Sequence, residues 1–390
     1  MPKQPRTSAN KRRKIVKEKI SYPSKRPVIP YAKGFKPSSE LQSLNAIGFG
    51  NKVPKEFDPN LQNDGVRFFE PIPKPESVDD WLAQYCEEGQ TYKQFLNQCP
   101  WLSSRKRKYM LQDFTPLGNT ITDKYPDGKI YIVPVGEFGD ENLFASLVEY
   151  TKIFLGLPVV SLPNIKLVEE KSKLFWVEEN VGSKPKKVRT SQRQKRHELN
   201  SRYSESTGQR QVCVDGNLMQ LRKFIPRDAL CMIGLTMMDL YGDDSDLFVA
   251  GMAAGNERVA IFSLFRYDPC LEFSSENWFE FQLDTNMQKK ERQRTILQRG
   301  CKLLVHEICH LLGIDHCVFY ECCMNGSGHL QEDFRQPMHL CPVDLHKLST
   351  LVGFDVTDRY KDLLKFYKDK GCKPETQWME KRIESLCLGD

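Results

Sequence analysis

The chain has 390 residues, 57 Lys and Arg against 51 Asp and Glu, a net charge of +6 and 39% hydrophobic residues. That length allows one large domain or two moderate ones, and its most apolar run, Leu230–Met238, is far too short to span a bilayer. The basic N-terminus lacks the apolar core of a secretory signal, so thirteen cysteines in a chain of this size point to reduced thiols or metal ligands in a cytoplasmic or nuclear setting, without secretion.

Charge is placed unevenly. Residues 1–36 hold twelve Lys and Arg against one Glu, and a second basic cluster spans Lys184–Arg196. Such runs bind nucleic acid, act as nuclear-import signals or are simply solvated. Residues 1–75, rich in Pro, Lys and Ser and without a sustained period, are expected to be a mostly disordered tail. Residues 76–128 form a helical lead-in, with Trp81 and Tyr85 one turn apart and Tyr92 and Phe95 similarly spaced.

From Lys129 the pattern alternates. KIYIVPVG predicts a buried strand, ENLFASLVEYTKIFLG an amphipathic helix and LPVVSLPNIKLV another strand. After a basic insertion near 170–211, NLMQLRKFI predicts a helix, ALCMIGLTMMDLY a central strand, and DLFVAGMA and RVAIFSLFRY two more. The fold class is therefore α/β, a twisted and mostly parallel sheet with one added edge strand. The expected bounds are 129–316 for this domain and 317–390 for a Cys-rich, helical C-terminal part.

Five of the seven histidines and five of the thirteen cysteines lie between Leu303 and Asp344. In RQRTILQRGCKLLVHEICHLLG the residues Leu297, Cys301, Leu304, Ile308 and Leu311 make one apolar stripe, while His306 and His310 sit one turn apart on a shared face. Two imidazoles at that spacing grip one metal ion, and Glu307 is angled toward a water on the metal. Gly313 supplies the left-handed turn that lets His316 return as a third ligand. Three neutral ligands with an open fourth position describe catalytic rather than structural zinc.

HExxHxxGxxH with a downstream Met marks the metzincins, and HEICHLLGIDHC, continuing through ECCMNGSGHL to LCP, resembles the archaemetzincins over about residues 130–360. The resemblance implies a metzincin-like sheet, peptide-bond hydrolysis with Glu307 as general base, and an aminopeptidase-like or limited proteolytic activity on a peptide or protein substrate. It also implies that Met324 forms the floor beneath the metal, that DLFVAGMA edges the cleft, and that Cys317, Cys322 and Cys341 serve a second zinc.

Asp344 stands where the family has its last cysteine, so two zinc ions per chain are expected, the second in a Cys3Asp set. His346 and Cys323 are competing fourth ligands. Cys301 and Cys309 read as small buried thiols, and His329, His339 and His346 as surface residues outside the catalytic site. A monomer is expected. The other readings are a peptidase-like binding protein without turnover and a nucleic-acid-associated zinc protein.

Overall fold

The computed structural model describes residues 28–50, 52–63, 65–102, 115, 117–178, 195–271 and 287–387. At its centre is a five-stranded sheet in the order Gly251–Ala254, Val259–Ser263, Ala229–Thr236, Lys129–Pro134 and Val159–Ser161. Four strands run parallel and Gly251–Ala254 runs antiparallel at one edge. All eight residues of Ala229–Thr236 are buried, as expected for a parallel strand covered on both faces.

Alternation along the strands divides the core. Ile130, Ile132, Cys231, Ile233, Ala260 and Phe262 face the helices Glu141–Leu155 and Lys289–Leu311 together with the C-terminal helices. Tyr131, Val133, Met232, Val259 and Ile261 face the helix Val214–Phe224 and a smaller core around Trp176 and Leu199. Among the described residues, four helices follow Lys289–Leu311: Leu330–Arg335, Pro342–Val352, Val356–Lys370 and Lys373–Cys387.

Two predicted strands are divided. LPVVSLPNIKLV breaks at Pro163: Val159–Ser161 joins the central sheet, whereas Leu167–Glu170 pairs antiparallel with Lys173–Val177, which pairs with Arg196–Leu199. ALCMIGLTMMDLY ends at Thr236, and Asp239–Tyr241 joins Arg210–Cys213 in a third sheet. Asp239 is buried there against the Arg266 guanidinium, at 2.8 and 2.7 Å. The expected basic insertion thus has strand-forming flanks. Residues 179–194, with most of its basic cluster, lie outside the described residues.

The stretch 28–75 is more ordered than its composition suggested. Ser39 caps the helix Glu40–Ile47, and Phe35, Ala46, Ile47, Phe68 and Phe69 are buried in the main core. Those aromatic and aliphatic anchors offset the ordering cost that the Pro- and Lys-rich background disguised. Residues 1–27 of the basic tail lie outside the described residues. No described helix is long and apolar enough to cross a membrane.

Candidate metal centres

The helix Lys289–Leu311 buries Leu297, Cys301, Leu304, Ile308 and Leu311 along the predicted stripe. It ends where Gly313 adopts φ 90° and the Ile314 N–H donates back to the Cys309 carbonyl at 2.9 Å. A Cβ at Gly313 would meet Pro100 Cδ at 2.8 Å, so packing and backbone both require glycine. The chain then reverses and brings His316 beside His306 and His310, with ring centroids 4.7, 5.5 and 4.8 Å apart. One nitrogen from each ring lies within 4.8 Å of the others.

Each Nδ1 faces an oxygen acceptor: the Cys323 carbonyl at 2.7 Å for His306, the Ile314 carbonyl at 2.8 Å for His310, and a Glu87 carboxylate oxygen at 3.0 Å for His316. A proton on each Nδ1 satisfies these contacts and leaves Nε2 as a lone pair. The Nε2 atoms of His306 and His310 stand 3.0 Å apart, near the ~3.3 Å edge of a tetrahedron with ~2.0 Å bonds to zinc. Two acceptors aimed at each other at that distance suit a shared cation. Burial, with His310 and His316 nearby, holds His306 well below its ordinary pKa, and burial with His316 nearby brings His310 to about 4. Both rings are therefore neutral at neutral pH, the form that ligates metal.

Glu307 is half-buried beside this group, and desolvation pushes its carboxyl to about 7, against the lowering influence of His316. Among the described residues its carboxylate makes no protein hydrogen bond. Met324 is fully buried, and its carbonyl accepts the Cys317 N–H at 2.8 Å. Asn325 ties the same loop together: its side-chain amide donates to the Cys317 and Tyr320 carbonyls at 2.9 Å, and its side-chain oxygen accepts the Cys322 N–H at 2.8 Å.

A second group joins Cys317, Cys322, Cys341 and Asp344, all buried. The Cys317 and Cys341 sulfurs are 3.5 Å apart, and Asp344 Oδ2 lies 3.2 Å from Cys322 Sγ and 3.5 Å from Cys341 Sγ. The other Asp344 oxygen accepts from the Lys347 ammonium at 2.8 Å, with both side chains at 0% exposure.

The competing ligands lie elsewhere. The Cys323 thiol falls outside the group of four, and burial raises it to about 12. The His346 ring stacks between Phe49 at 3.9 Å and Tyr92 at 3.7 Å and donates from Nδ1 to the Ile47 carbonyl.

The expectation that His329, His339 and His346 are surface residues is overturned. His329 is held by Asp80 with its side chain 6% exposed, His339 stacks on Trp378 at 4.1 Å, and His346 is buried. Each ring finds aromatic or carboxylate partners that no local spacing announces. None belongs to the three-histidine group. Cys301 and Cys309 are buried, with thiols raised well above their ordinary value by burial. No disulfide joins any of the thirteen cysteines, all of which are described.

Two residues at this centre carried no sequence signal that tied them to it. Glu87 holds His316, and Trp81 meets the same ring edge-on at 5.2 Å. Burial raises the Glu87 pKa, but the His316 hydrogen bond and charge outweigh it and leave the carboxyl lowered.

The model of Peptidase family M54 matches residues 271–350. Archaemetzincin-2 of Homo sapiens is 31% identical over 320 residues, covering 77% of this chain and 76% of that protein. The chain belongs to the archaemetzincin family. Archaemetzincin-2 of Mus musculus is 29% identical over 324 residues, 78% of this chain and 76% of that protein. An archaemetzincin of Archaeoglobus fulgidus, solved in complex with malonate, covers 56% of this chain and 99% of its own at 21% identity, with a TM-score of 0.34. Membership in the archaemetzincins supports a zinc metallopeptidase, and the two Cys, His and Asp groups are donor sets suited to zinc.

Proposed function

We propose that this archaemetzincin hydrolyses peptide bonds at a zinc ion held by His306, His310 and His316, with Glu307 as general base. What carries the reading is the set of three Nδ1-anchored rings converging beside a half-buried carboxylate that makes no hydrogen bond among the described residues. When bound, zinc supplies a Lewis acid that acidifies water and polarises the scissile carbonyl. Glu307 accepts the proton of the attacking water and returns it to the departing amine. Desolvation raises the carboxyl toward the pKa at which one group can both take and give a proton.

Cys317, Cys322, Cys341 and Asp344 hold a second, structural zinc in this reading, and Met324 forms part of the floor under the first. The sheet is metzincin-like, and its antiparallel edge strand Gly251–Ala254 offers backbone groups to an extended peptide. The family resemblance suggests an aminopeptidase-like or limited proteolytic activity, two modes that peptide-library profiling tells apart directly. A reduced cytoplasmic or nuclear setting fits thirteen cysteines without a disulfide.

The deciding experiment compares wild type, Glu307→Gln and His310→Ala. Glu307→Gln keeps its zinc and loses about 10²–10⁴-fold in rate, while His310→Ala loses zinc and activity together. Wild-type turnover by clean Glu307→Gln protein refutes the mechanism.

A further inference from the structure

We propose that Glu87 is the positioning residue of the third zinc ligand, brought to His316 by a bracket between the lead-in segment and the chain beyond the metal-site helix. The inference rests on the zinc reading of His306, His310 and His316.

The three rings are oriented by unlike means. His306 and His310 belong to a helix and donate to main-chain carbonyls 17 and 4 residues away, so backbone on the C-terminal side of the helix orients both. His316 lies beyond Gly313 on no regular element. Its Nδ1 partner is a side-chain carboxylate 229 residues earlier in the chain, and Trp81 meets the ring from the same segment.

That segment is fixed on both sides of Glu87. On one side, Asp80 binds Arg335 Nη2 through both oxygens, at 3.1 and 3.0 Å, and accepts from His329 Nε2 at 2.8 Å and the Glu76 N–H at 2.8 Å. The next residue, Trp81, donates its N–H to Glu332 at 2.8 Å. On the other side, the Gln90 amide donates to the Gly313 carbonyl at 3.1 Å and to Asp315 at 3.0 Å, at the turn that leads into His316.

Gly328 lets the two strips of chain touch, since a Cβ there would come within 2.1 Å of the Asp79 carbonyl. Asp80, His329 and Glu332 have the spacing of a metal group. Both Asp80 oxygens are, however, engaged by Arg335, His329 and the Glu76 N–H, and Glu332 Oε2 by the Trp81 and Gly328 N–H groups, so the cluster is read as the bracket.

A carboxylate suits His316 better than a carbonyl would. It accepts the Nδ1 proton, fixes the tautomer and makes Nε2 a stronger donor. Three neutral imidazoles leave a dication uncompensated in a partly buried site, and Glu87 supplies one negative charge at one ring's distance.

The test uses full-length protein titrated with zinc against a chelator buffer: wild type, Glu87→Ala, Glu87→Gln, Asp80→Asn and His310→Ala. Glu87→Ala is expected to weaken the zinc that His310→Ala loses by about 10–100-fold. The second zinc and the unfolding midpoint should hold. Glu87→Gln, with an acceptor of the same length, should recover part of the loss, and Asp80→Asn, with Glu87 intact, should give a smaller weakening.

If wild type holds no zinc beyond that of His310→Ala, the zinc reading itself fails. If that zinc is present and Glu87→Ala binds it as tightly as wild type, the role of Glu87 is overturned. Should Glu87→Ala not fold, Glu87→Gln and Asp80→Asn decide: weakened binding in both supports the bracket, and wild-type affinity in both overturns it.

Discussion

Replacing Lys347 by Met should destabilise the C-terminal part more than any surface change. The Lys347 ammonium lies 2.8 Å from Asp344 Oδ1, both side chains are wholly buried, and the other Asp344 oxygen faces Cys322 and Cys341. Lys347→Met keeps the aliphatic stem and removes the charge that compensates the carboxylate. Breaking a buried pair from one side costs about 3–5 kcal/mol, because the remaining charge stays desolvated. With unfolding entropy near 2.1 cal/mol/K per residue, a folded body of about 300 residues would lose roughly 5–8 °C in Tm.

The assay is thermal and urea unfolding of chelator-treated and zinc-loaded protein, with Asp344→Asn and the double variant completing the cycle. Asp344→Asn/Lys347→Met should recover part of the loss, since neither charge remains, with a coupling of about 1–3 kcal/mol. A Lys347→Met protein as stable as wild type in both metal states would show that the pair does not hold the cluster.

Asp344→Ala should lower zinc by one ion per chain in elemental analysis, and an unchanged count would remove Asp344 from the ligand set. Deleting residues 1–27 should leave activity and zinc intact. Deleting 1–36 should cost stability, because it also removes the buried Phe35 and the Ala32 N–H bond to the Leu82 carbonyl at 2.8 Å; equal Tm values for the two truncations would count against that packing. Gly326→Ala places a Cβ 2.4 Å from Trp81 Cδ1, so it should displace the indole from His316 and change tryptophan fluorescence. An unchanged spectrum and zinc affinity would refute the contact.

The parts of the site that one helix encodes were legible in the sequence. His306, His310 and the stripe from Leu297 to Leu311 follow from helical period, and Gly313 marks the reversal. Helical spacing also accounts for the second cluster once Pro342–Val352 is known to be a helix: Cys341 is its N-cap, so Asp344 and Lys347 fall three and six residues on and share its face, whereas His346 points toward Phe49 and Tyr92. Glu87 could not be found this way. It sits in an irregular loop with no period, and only tertiary packing brings it to His316. The breaks at Pro163 and after Thr236 were missed because apolar character continues across them while the backbone changes sheets.

The two ligand groups are not independent, because one loop serves both. His316 is followed directly by Cys317, whose N–H is held by the Met324 carbonyl. The Cys323 carbonyl, between Cys322 of the second group and Met324, accepts Nδ1 of His306. Securing Cys317 and Cys322 therefore fixes both ends of the loop that sets His316 and supplies the partner of His306, while Asn325 ties its interior to three backbone groups. With Glu87 on His316, the three histidine rings are held between a cysteine-bearing loop and a segment distant in the chain. The helix alone orients His310, through Ile314 just past its end. A peptide carrying only HEICHLLGIDH would contain every proposed catalytic ligand and lack the supports that aim two of the three.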